Sequence, residues 1–334
     1  MTSTRNLCWG IWLVCLCGFV LPVTAKPKDT RLQFNVKDSI VAVETITEST
    51  VRSFAFPMRK MENTERLESE KHVKYEVTRV PEGFTISETL LSVRVQKDGN
   101  ADDPEPFDQC LLNHTITYHA DKNGKLQSIA GIEQVIAFGH SNLSATDQKE
   151  LGNMLDLDTL TKSIRSTWDV EVDALLGRLV TPGDTWTTRG LTFLPDSKLG
   201  PYTQSTKMGE GLRVEGRQAV TLTYQAEIDK KAMSRGLTAM FNADANDEGA
   251  QLSWTVRDAG ITGSRVVDAA TLLDISGTET FTTRADAALP KNAGKLVVTI
   301  RSTSTSTLQF GASEDTGVWH ATGNSRRVAT RMRV

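Results

Sequence analysis

The chain holds 334 residues, with 38 Lys and Arg against 41 Asp and Glu, 39% hydrophobic residues, 24 Gly, 10 Pro, 5 His and 4 Cys. The near-neutral balance excludes the basic footprint of a nucleic-acid binder, and the Gly and Cys counts exclude collagen-like and disulfide-stapled classes. The apolar fraction suffices for one large domain or two ordinary ones.

Residues 1–25 read as a signal peptide. Arg5 precedes fifteen uncharged residues, Leu7 to Leu21, and Val23-Thr24-Ala25 supplies small residues for cleavage after Ala25. At ~1.5 Å per residue the run covers about 22 Å, short of a hydrocarbon core of roughly 30 Å, so no membrane span is expected after cleavage. Cys17 follows Val14-Cys15-Leu16, which is not the small-residue run of a lipid-attachment site. Cleavage removes Cys8, Cys15 and Cys17, and Cys110 alone remains. The expected location is exported, periplasmic or extracellular.

From Leu32 onward the dominant pattern has period two, the mark of half-buried strands. Val73, Tyr75 and Val77 share one face, Leu91, Val93 and Val95 repeat it, and Pro81-Glu82-Gly83 supplies a turn between them, so a hairpin is predicted. Asp98-Gly99 and Asn123-Gly124 are further turns. The charged stretch between Met58 and His72 reads as a loop or solvated face.

Helical spacing begins at Ser144, a candidate cap followed by Leu151, Met154 and Leu155. A longer helix is predicted from Asp158, its candidate cap, with Asp156 also suited to capping, to Leu179, its stripe formed by Leu160, Ile164, Trp168, Val172, Leu175, Leu176 and Leu179. Pro182-Gly183 stops it, and Thr185-Trp186 starts a strand. Alternation then returns, with Val220, Leu222, Tyr224, Ala226 and Ile228 on one face and Leu296, Val298 and Ile300 on another. Residues 229–242 suggest a second helix interrupted by Gly236. Ser302 to Thr307, alternating only Ser and Thr, reads as an exposed edge strand, and 311–334 as a tail. Asp121–Leu126 and Asp258–Gly263 both read as strand, turn and strand, shared turn chemistry rather than a duplication.

The run Tyr118-His119-Ala120-Asp121-Lys122-Asn123-Gly124-Lys125-Leu126, the central helix and Thr181-Pro182-Gly183-Asp184-Thr185-Trp186 resemble uncharacterised families of exported bacterial proteins over roughly residues 70–280. The resemblance implies a β-rich exported protein of unknown activity. A more distant likeness, in topology only, is to periplasmic lipoprotein carriers, whose curved antiparallel sheet holds helices on its concave side.

No catalytic, cofactor-binding or metal-binding residues are nominated. His114 and His119, on a strand predicted from 110 to 119, point to opposite faces. Cys110 and His114 share a face about 13 Å apart and read as a buried thiol and histidine. Asp244–Gly249 resembles the start of a calcium loop but has Thr255 where the closing carboxylate belongs. Gly139-His140-Ser141 and Gly209-Glu210-Gly211 lack the context of a nucleophile turn or a phosphate loop.

The expected fold is therefore mainly β (α+β): a large curved antiparallel sheet, or two fused β halves of about 30–143 and 184–310 joined by helical segment 144–180. The central helix packs across it, with Leu160, Ile164, Trp168, Leu175 and Leu179 as core or apolar groove. The functional expectation is an exported non-enzymatic protein that binds an apolar or amphipathic ligand, or an envelope protein, on the curved sheet. The alternatives are a hydrolase with a site assembled from remote loops and a structural envelope component.

Overall fold

The computed structural model describes residues 30–34, 36, 39–56, 61–242, 252–288 and 294–311. The leader, the acidic loop Asp244–Gly249 and the tail beyond Gly311 lie outside these residues.

Long alternating stretches, punctuated by residues that tolerate positive φ, fold as antiparallel ladders. The amino-terminal strands are β1 (Thr30–Arg31), β2 (Ile40–Phe56), β3 (Met61–Val80), β4 (Gly83–Lys97), β5 (Asn100–Asp102), β6 (Thr115–Asp121) and β7 (Leu126–Ala130). Helices α1 (Pro106–Leu111), α2 (Ile132–Asn142), α3 (Ala145–Leu151) and α4 (Leu157–Trp168) occupy the middle of the chain. Then come β8 (Leu179–Val180), β9 (Thr185–Phe193), β10 (Leu199–Val214), β11 (Arg217–Ile228), helix α5 (Lys230–Asn242), β12 (Trp254–Asp268), β13 (Asp274–Ala288) and β14 (Lys295–Phe310).

Among the described residues, twelve strands form one antiparallel sheet in the order β7-β6-β4-β3-β2-β14-β13-β12-β11-β10-β9, with β5 paired to β4; β1 and β8 pair separately. The first long strand thus pairs with the last, β2 with β14, and the rest of each meander runs outward from this central pair. The sheet curls. Its edge strands both meet α4: Arg165 Nη2 donates to the Gln127 carbonyl of β7 at 3.1 Å, and the Leu191 amide of β9 donates to Ser166 Oγ at 2.6 Å. One apolar cluster also joins Val77, Phe84 and Leu126 of β3, β4 and β7 to Met208, Leu222 and Val267 of β10, β11 and β12. Strands so far apart in the sheet order touch a common core only when the sheet wraps around it.

The predicted β3–β4 hairpin forms, turning at Pro81-Glu82. Residues 61–72, expected as loop or solvated face, form the first half of β3: β2 pairs with all of them and β4 with those from Leu67 onward, while Glu68 and Glu70 point to water. A bulge beside His72 makes Leu91 the extra residue, 37% exposed, and puts Leu90 into the core in its place.

Helix α4 is capped by Asp156, whose carboxylate accepts from the Thr159 amide at 2.8 Å. Asp158, the expected cap, lies in the first helical turn, where its charge suits the helix dipole. The helix is also shorter than its stripe suggested. After Trp168 it widens into one π-helical turn, Asp169–Asp173, and it has ended by Gly177, at φ +71°. Leu179 therefore falls on β8, 63% exposed, and is neither core nor groove.

Three further expectations are corrected. Ser302 to Thr307 belong to β14, at the centre of the sheet rather than its edge. Asp258–Gly263 run straight through β12 without a turn. Cys110 sits fully buried on α1, and the strand beyond it starts only at Thr115, so His114 lies between elements with its ring edge-on to Phe138.

Candidate functional site

Period-two alternation sends one set of side chains into the curl, and along each strand that set changes character. On β14, Val298 and Ile300 pack into one apolar cluster, Ser302, Ser304 and Ser306 follow, and Leu308 is buried beyond them. On β11 the inward series is Val220, Leu222, Tyr224, Ala226 and Ile228. The interior is thus layered. One apolar layer holds Phe34, Phe84, Trp168, Leu175 and Leu222, and a second packs α5 through Ala232 and Met233 onto Trp254, Val256 and Ala285. Between them lies a polar layer around a partly enclosed cavity of about 430 Å³, lined by Glu44, Glu171, Tyr202, Tyr224, Arg265, Asp274 and Glu279 together with Ser304 and Ser306, with Ile46, Leu191, Phe193 and Ile261 also on its wall.

Glycines make room for its large side chains. Tyr224, Gly263 and Glu279 are cross-strand partners on β11, β12 and β13, and the Tyr224 ring crosses Gly263 so closely that a Cβ there would lie 2.5 Å from it. The phenol then reaches Glu279, donating to Oε2 at 2.7 Å. Tyr202 crosses Gly190 of β9 in the same way. Two further tyrosine–glutamate pairs face inward: Tyr75 donates to Glu44 Oε2 and Tyr118 to Glu88 Oε2, each at 3.0 Å.

Arg265 is the cation of the layer. Its Nη2 donates to the Glu171 carbonyl at 3.1 Å, and Nη1 lies 3.6 Å from Asp274 Oδ1 and 3.9 Å from Glu171 Oε2. Burial alone would lower its pKa; the charges of Asp274 and Glu171 reverse that and hold it above the usual range. The carboxylates respond oppositely. Burial raises Glu44 and Glu88 against hydrogen bonds from Ser306 and Tyr75, and from Tyr118, and raises Asp274 against the pull of Arg265. Glu171 is pushed to about 7 by enclosure among protein groups, with Arg265 opposing and Asp274, Glu279 and Glu88 adding to the rise. Half of its side-chain surface opens into the cavity, so water there tempers an upward shift whose direction follows from enclosure. Burial also raises Tyr202, to about 12, and raises Tyr224, which Glu279 pushes further.

The predicted stripe lies on the other side of α4. Trp168 and Leu175 are packed into the first apolar layer, where Trp168 stacks on Phe34 and Tyr118. Leu160 is buried, and Ile164 is half-buried against a third cluster of Cys110, Ile116, Val135 and Leu155. Ser163 and Thr167 of the same helix line the cavity instead. Of the other motifs, Gly209-Glu210-Gly211 spans a bulge in β10, and His140 and Ser141 end α2. Tyr224 is legible on an inward face, but the acidic residues and Arg265 are not: one polar residue at an inward strand position is a weak signal, and Glu171 lies on the π-helical turn, off the strands.

No protein-family model and no curated protein matches the chain. Among solved structures it is similar, at 7% identity, to Pseudomonas aeruginosa OccK2 (OpdF) over 84% of this chain and 100% of that one, with a TM-score of 0.18. For Pseudomonas aeruginosa OccK8 (OprE) the values are 7%, 83%, 99% and 0.15. Likenesses of this size say nothing of this chain's fold or activity. No described helix is long and apolar enough to cross a membrane.

Proposed function

We propose that this is an exported, non-enzymatic binding protein whose ligand chamber is the cavity in the polar layer of the curled sheet. The observation that carries this reading is the layering itself. On β11 and β14 polar groups occupy the middle of strands whose inward neighbours on both sides are apolar, and Glu171 from the turn after α4 and Asp274 from the start of β13 join them, at a cost in folding that a purely structural interior would not retain. The volume falls in the roughly 300–1,000 Å³ range of small-molecule sites. Because the apolar stripe of α4 is spent on packing, the proposed ligand is polar, in place of the apolar or amphipathic one expected from the sequence. The carboxylates are engaged by tyrosines and Arg265, an arrangement suited to recognition. The leader, Arg5 to Ala25, supports export.

A test combines a thermal-shift screen of small polar compounds with the Ser304→Tyr variant, which fills the chamber. The expected result is a stabilising compound whose effect the variant abolishes. Turnover of ester or glycoside substrates that disappears in Glu171→Gln would replace this reading with an enzyme. Mass spectrometry of the native protein should find Lys26 at the amino terminus, and a retained leader would contradict export.

A further inference from the structure

Among the described residues, four carboxylates line the cavity, those of Glu44, Glu171, Asp274 and Glu279, against one cation, Arg265. Arg265 is already engaged on the Glu171 carbonyl and beside the Glu171 and Asp274 carboxylates, so it has little to offer an anion. The missing countercharge must come from protons or from a ligand. Resting on the chamber reading above, we infer that the chamber takes a small organic cation, an amine or guanidinium compound, held by Glu171 and Glu279 and bordered by the rings of Tyr202 and Tyr224.

Three features select this class. A cavity with excess negative charge and protein walls concentrates cations. Among the described residues no three His, Cys, Asp or Glu side chains converge closely enough to hold a metal ion, so the charge to be matched is spread over the walls, as an extended organic cation spreads its own. The tyrosine rings, set in place by Gly190 and Gly263, offer π faces that attract a cation and do little for an anion.

Binding of a cation also involves a proton. Facing Glu171 are Glu88 of β4, Tyr118 of β6, Tyr202 of β10, Tyr224 of β11, Arg265 of β12, and Asp274 and Glu279 of β13. With enclosure and three acids outweighing one arginine, Glu171 holds a proton for part of the time near neutral pH. A bound cation favours the carboxylate and expels that proton. Affinity therefore rises with pH through about 7.

The test is isothermal titration of the full exported chain with 1,4-diaminobutane at pH 7 in two buffers of different ionisation enthalpy, beside titrations with glucose and dodecanoate. Saturable binding of the diamine with net proton release, weakened about tenfold in Glu171→Gln and in Glu279→Gln, is expected. Circular dichroism of both variants separates lost binding from lost folding. If glucose or dodecanoate binds, Ser304→Tyr blocks it and the diamine does not bind, the chamber stands and the cation inference falls. If none of the three binds, the cation inference falls, and if no compound in the thermal-shift screen binds either, the chamber reading falls with it.

Discussion

The inward face of β11 and the inward face of β14 are built by the same alternation and enclosed by the same curl, yet each crosses from apolar layer to polar layer within two residues. Leu222 is fully buried and Tyr224, next on that face, borders the cavity; Ile300 belongs to a core cluster and Ser302 begins the serine run. Backbone and register are common to both layers, so the difference lies in side-chain chemistry alone. The apolar layers lower the free energy of the fold, whereas the polar layer gathers carboxylates whose pKa values the enclosure raises. On the function proposed above, stability resides in the first and recognition in the second.

The sharpest contrast should come from truncating one residue in each layer. Leu175, 1% exposed, should cost about 2–5 kcal/mol on Leu175→Ala by chemical denaturation. Ser304→Ala should change stability little. Equal losses would erase the distinction between the layers. Next in size is Gly263→Val, whose side chain collides with the Tyr224 ring; overpacking of this kind costs about 1–3 kcal/mol. The added Tyr224→Ala change should recover part of that loss, and a double-mutant cycle without coupling would contradict the crossing geometry.

A smaller effect has a pH signature. Glu171 in the folded chain sits at about 7 against an ordinary 4.5, so the folded state binds more protons than the unfolded one between these values. Stability then falls as pH rises through that window and levels off above it. Glu171→Gln should flatten this slope, raising the melting temperature at pH 8 relative to the native sequence and changing it least at pH 4. The smallest expected effect concerns α4. Asp156→Ala removes the cap and should lower the melting temperature slightly more than Asp158→Ala, whose side chain makes no cap bond.

Much of the sheet was legible because its signals are local. Pro81-Glu82-Gly83, Asp98-Gly99 and Asn123-Gly124 mark real turns, the residues of β11 alternate as written, and α5 follows its apolar spacing across Gly236, which is buried against Leu194, Pro195 and Asp196. What was hidden depends on partners distant in sequence. Ser302–Thr307 reads as an edge because hydroxyl residues usually face water; here the inward serines face a cavity, and only the pairing of β14 with β2 and β13 reveals it. Gly260 and Gly263 look like a turn until Tyr224 is placed over Gly263. The chamber is harder still, since its groups come from β2, β9, β10, β11, β12, β13, β14, α4 and the turn after it, with no spacing to link them. The stripe of α4 was visible, but its other face, Ser163 and Thr167, carries the contact with the chamber.

The most direct test of the layered interior as a cation chamber is a carbon-13 NMR titration of the Glu171 carboxyl, with and without 1,4-diaminobutane. A midpoint near 7 in the free protein, moving down when the diamine is present, is the predicted result. A midpoint at the ordinary carboxylate value, unchanged by the diamine, would contradict it.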